Sequence, residues 1–70
     1  MPHCVIEYAK PLKHVISIEA LVEATHLALI DSQLFEPQAV KTRAHAVEHF
    51  RAGEDEEATF IHLHVAIMPG

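Results

Sequence analysis

The segment from Ile18 to Asp31 constrains the fold more than any other feature of this chain. Apolar or small residues fall at positions 18, 21, 22, 25, 28 and 29, the i, i+3, i+4 spacing of an amphipathic helix. Ser17 stands before it as an N-cap. Ala20, Leu21, Glu23, Ala24, Leu27, Ala28 and Leu29 are good helix formers, and Ser32 to Pro37 ends the run. A helix with one apolar stripe has to lay that stripe on another element.

The flanks read as strands. Pro2 to Tyr8 is rich in strand formers, and proline at its start is where a strand tolerates it. Ala9 to Ile16 is a connection broken by Pro11. Val40 to Phe50 is a second strand, with Lys41, Arg43, His45, Val47 and His49 on one face. Val40, Thr42, Ala44, Ala46 and Glu48 fall on its other face. Arg51 to Ala58 holds Gly53 and the acidic run Glu54-Asp55-Glu56-Glu57, and reads as a polar hairpin connection. Thr59 to Met68 is a third strand, with Ile61, Leu63, Val65 and Ile67 on one face and Phe60, His62, His64, Ala66 and Met68 on the other. The order strand, helix, strand, strand predicts an α+β fold. The crossover makes a right-handed parallel pair, and the third strand is expected antiparallel to the second through the acidic hairpin. One helix covers one face of a small mixed sheet. The other face, with histidines and apolar groups, needs a cover.

Size sharpens that need. A chain of 70 residues buries only ~60% of its unfolded surface, and small scaffolds lean on disulfides, metals or self-association. Cys4 is the lone cysteine, so no internal disulfide forms. The formal charge is −5, from ten acidic residues against five basic ones. That opposes nucleic acid and anionic membrane surfaces as partners. No stretch approaches the ~20 apolar residues of a membrane span, and the N-terminus carries no secretory signal. A cytoplasmic location is expected. The closing Pro69-Gly70 reads as a turn into something further. Residues 1–70 are therefore expected to be one domain, the front part of a longer chain.

Pro2 has a chemical use. Methionine ahead of a small residue is readily removed, which leaves proline as a secondary amine. An α-amino group titrates near ~7.7–8.0. Apolar burial or a nearby cation favours its neutral form. Such an amine takes a proton from one carbon and returns it to another. Many harmless sequences also begin Met-Pro, so the signal acquires weight only from its context.

That context is a set of short matches in the right order and spacing: Pro2-His3-Cys4-Val5-Ile6-Glu7, Phe35-Glu36-Pro37, Val40-Lys41-Thr42-Arg43-Ala44-His45 and Phe60-Ile61-His62-Leu63. Together they resemble the front part of the 5-carboxymethyl-2-hydroxymuconate isomerases, of the tautomerase superfamily. The resemblance implies a β-α-β building block, a trimeric or hexameric homo-oligomer, no cofactor, and amino-terminal proline as the acid–base. It implies isomerisation of a small anionic unsaturated carboxylate in the breakdown of aromatic acids. Carried over, Pro2 takes the catalytic position. Lys41 stands where the family usually has an arginine that holds a substrate carboxylate, and Arg43 matches a second basic position. Lysine is a point charge without the planar fork of a guanidinium. The chain also stops before the family's second helix, its fourth strand and a further basic residue. Alternate basic residues on a strand equally suit a solvated face.

Seven histidines invite other readings. If the faces of His45 and His49 and of His62 and His64 meet across the hairpin, four imidazoles cluster, and zinc takes about four nitrogen or sulfur ligands. H-x-H and H-x-x-x-H on strands are weak patterns, however, and no metal is expected. The blander reading is a half-polar interface between subunits that weakens in mild acid. His14 and His26 read as surface residues, and Cys4 as a small buried hydrophobe. The alternatives to an isomerase are a non-catalytic assembly module of the same fold and a histidine-based metal binder.

Overall fold

The computed structural model describes residues 1–67. Met68, expected to end the last strand, and the Pro69-Gly70 turn lie outside the described residues. The elements are β1 (Pro2–Ala9), a 3-10 turn (Lys10–His14), α1 (Ile18–Asp31), a second 3-10 turn (Pro37–Ala39), β2 (Lys41–Val47) and β3 (Ile61–Ile67). The fold is α+β, as expected.

The helix has the bounds that its periodicity predicts. Ser17 is extended and its Oγ accepts from the Ala20 N–H at 3.1 Å, which satisfies one of the orphan donors of the first turn. The half-buried positions are Ile18, Leu21, Val22, Thr25, His26, Leu29 and Ile30. This stripe packs mainly on β2. After Ser32 the chain turns through Gln33 in the left-handed region, at φ 60°. The αL exit is common where a helix ends.

The sheet order corrects the expected pairing. β3 lies antiparallel to β1, not to β2, and the order is β2-β1-β3. β1 and β2 are parallel, with His3 opposite Lys41 and Val5 opposite Arg43. The connection 48–60 therefore crosses past the end of β1, a span of two strand spacings or about 10 Å. It is anchored on the way. Phe50 and Phe60 meet edge to face, with centroids 5.1 Å apart and planes at 72°, a favoured aromatic geometry. The Ala9 N–H donates to the Phe60 carbonyl at 3.0 Å. Gly53, at φ 61°, makes the turn as expected, but at the tip of a crossing rather than of a hairpin.

This order also brings β1 and β3 side chains together on the open face. On the open face Glu7 stands opposite His45 of β2 and His62 of β3, and His62 Nδ1 lies 3.8 Å from Glu7 Oε1. Both side chains of this contact are about half exposed.

The central strand also supplies the core. Cys4, Ile6 and Ala9 of β1 are buried, together with Val40. Cys4 and Ile6 face the helix side. So, by register, do Ile61, Leu63, Val65 and Ile67 of β3, yet these remain exposed because α1 sits over β2. The helix covers only half of its face of the sheet.

Candidate active site

The three residues singled out from sequence converge on one end of the sheet. Pro2 opens β1 and is buried. It pairs with Ile67 of β3. One residue on, His3 lies opposite Lys41, and Arg43 follows two positions further along β2. The parallel pairing thus brings the start of β2 beside the start of β1. Strand alternation directs the Pro2 ring to the helix side, with Cys4, and directs His3, Lys41 and Arg43 to the open face.

Both cations are held by nearby acceptors. Lys41 Nζ donates to the Gln38 carbonyl at 3.2 Å, which draws it toward the 3-10 turn before β2. Arg43 Nη1 lies 3.1 Å from His3 Nδ1. A guanidinium has only donors, so His3 accepts through Nδ1. The rim therefore carries two positive groups on a neutral or apolar background, an arrangement that attracts a carboxylate.

The condition for an imidazole cluster, that the faces of β2 and β3 meet, is not fulfilled. β1 separates β2 from β3, and His49 lies beyond the end of β2. Among the described residues no group of three or more histidine, cysteine or acidic side chains is placed to hold a metal ion. His14 is exposed as expected. His26 is not the isolated surface residue it was read as. It is half-buried, and its Nδ1 shares a hydrogen bond of 2.8 Å with Thr42 Oγ1, tying α1 to β2. Its place on the stripe 18, 21, 22, 25, 26, 29 was the available signal. Cys4 is 1% exposed, and burial pushes its thiol pKa upward, which makes it a hydrophobe rather than a nucleophile.

An open cavity of about 580 Å³ lies between α1 and β2, lined by Glu19, Val22, Glu23, His26 and Thr42. Its two carboxylates oppose an anionic ligand, and it lies on the helix side, across the sheet from Lys41 and Arg43. The rim at Pro2 is the better candidate on charge. Among the described residues no helix is long and apolar enough to cross a membrane.

No curated protein and no solved structure matches the chain. A family model does match, and it begins at the proline that opens β1. Over residues 2–70 the chain belongs to the 5-carboxymethyl-2-hydroxymuconate isomerase family, within the tautomerase superfamily.

Proposed function

We propose that the protein is a cofactor-independent isomerase that shifts a proton within a small unsaturated carboxylic acid, with the nitrogen of Pro2 as acid and base. The observation that carries this reading is the register of β1 and β2, which sets Lys41 opposite His3, the residue that follows Pro2, and Arg43 opposite Val5. Family membership supports an isomerase or tautomerase role. The reading requires removal of Met1. The freed secondary amine, beside two cations and a buried ring, then favours its neutral form and accepts a proton from the carbon next to the substrate carbonyl. Lys41 and Arg43 hold the carboxylate and draw electron density as the enolate forms. The ammonium of Pro2 returns the proton at a second carbon. Aromatic-acid breakdown in the cytoplasm is the setting that the reading includes.

The test is ketonisation of phenylenolpyruvate by chain shown by intact mass to lack Met1. Pro2→Ala is expected to slow it by about 10²- to 10⁴-fold, the usual scale for a positioned acid–base. An undiminished rate removes Pro2 from the mechanism. Arg43→Ala is expected to raise KM more than it lowers kcat, since it removes binding present before the transition state.

A second element of the reading is self-association as a trimer or hexamer. The bare apolar side of β3 favours it. The same observation favours an assembly module without chemistry, and activity of the untouched chain separates the two.

A further inference from the structure

We propose that His3 is a positioning residue for Arg43 and acts as a proton-sensitive latch that sets the acid limit of carboxylate binding at the rim. The inference rests on the reading of the site given above. Its basis is the contact between Arg43 Nη1 and His3 Nδ1 at 3.1 Å. Arginine stays charged and only donates. The contact therefore requires an unprotonated Nδ1 and places the imidazole proton on Nε2. A proton added to Nδ1 occupies the lone pair that accepts, and turns the partner into a second cation at contact distance.

The fold decides which partner moves. His3 lies on the central strand, held on both sides by Lys41 of β2 and Ala66 of β3. Arg43 lies on an edge strand and has a long flexible side chain. Protonation of His3 thus displaces the guanidinium from the Pro2 end of the sheet. The groups around His3 offer no relief. From β2 it faces Lys41 and Arg43. From β3 it faces Ala66, with His64 one register row away opposite Val5. On its own strand the carboxylate of this face is Glu7, two rows off and engaged by His62. α1 lies on the opposite face. No carboxylate among the described residues is placed to neutralise a protonated His3.

Two measurements test the latch. In ¹⁵N-labelled protein, His3 is expected as the Nε2–H tautomer at about pH 8, with slowed rotation of the Arg43 guanidinium, and that slowing is lost by about pH 5.5. An Nδ1–H tautomer at the higher pH overturns the latch whatever the catalytic outcome. For phenylenolpyruvate, KM of the wild type is expected to rise about tenfold over the same interval. His3→Asn keeps an acceptor oxygen near the Nδ1 position without titrating, so its KM should stay flat and low. His3→Phe has no acceptor, and its KM should be high at both ends. A KM that falls in acid overturns the proposal, because protonated His3 would then itself be binding the anion. Equal pH profiles for wild type and His3→Asn overturn it as well. If Pro2→Ala retains full activity while the tautomer and guanidinium signals behave as stated, the active-site reading fails and the latch stands.

Discussion

Cys4 shows how one buried position on the central strand limits the conditions the fold tolerates. Its thiol is 1% exposed, and burial raises its pKa because the thiolate has lost its water. The folded value lies above the unfolded one. The stabilising contribution is therefore complete below the ordinary thiol range and disappears as pH rises through the folded value. Denaturant midpoints should fall between about pH 7 and pH 10 in the wild type. In Cys4→Ala, lower throughout because of the cavity, that fall should be smaller. Equal slopes would mean that the thiol titrates alike in the folded and unfolded chain, or that other groups control the alkaline limit. Single residues also show what the linear sequence conveys. Pro2, Lys41 and Arg43 were singled out through the resemblance to the isomerase family, since a Met-Pro start and alternate basic residues on a strand carry little weight alone. The role of His3 was hidden, since its partner is a residue 40 positions away and only the register of a parallel pair brings them together. His26 was hidden less completely. Its spacing on the helix stripe was visible, but an imidazole suits an exposed position as readily as a half-buried one.

At the level of elements, α1 is the piece whose local signals all agree, and its limits followed from them. Ser17 is its cap by direct geometry, and Ser17→Ala should cost about 1 kcal/mol, read as a lower denaturant midpoint at unchanged m-value. A result near zero would mean that water replaces the hydroxyl without loss. The strands were legible as strands but not as partners. The acidic run and Gly53 announce a change of direction, and nothing in 51–58 specifies which edge the chain reaches next. The Phe50–Phe60 contact and the Glu7–His62 pair accompany the crossing, and each joins residues whose proximity follows from it. The expected end of β2 and the expected start of β3 ran too long for the same reason. Alternation continues from His49 and Thr59, but no neighbouring strand is there to bond them.

The whole molecule is more extended than a self-sufficient domain of its length. Its radius of gyration is 13.7 Å and its extents are 41 × 23 × 16 Å, whereas a compact chain of this size has a radius near 11 Å. The buried apolar set consists of Cys4, Ile6, Ala9 and Val40, too little to offset the ordering of such a chain. Meanwhile Leu63, Val65, Ile61 and Ile67 stand 44–70% exposed in one row, and covering such side chains contributes roughly 1.5–3 kcal/mol each when burial is full. Stability of this chain should therefore depend on contacts between copies, so its unfolding temperature should rise with protein concentration. Leu63→Asp combined with Val65→Asp should abolish that dependence and yield monomers in sedimentation. These positions face away from Lys41 and Arg43 but share the helix side with the Pro2 ring, so sedimentation and the concentration dependence of melting, not activity, are the readouts. A melting temperature independent of concentration, in a species that sediments as a monomer, would show that the small core suffices and that the apolar row of β3 tolerates water.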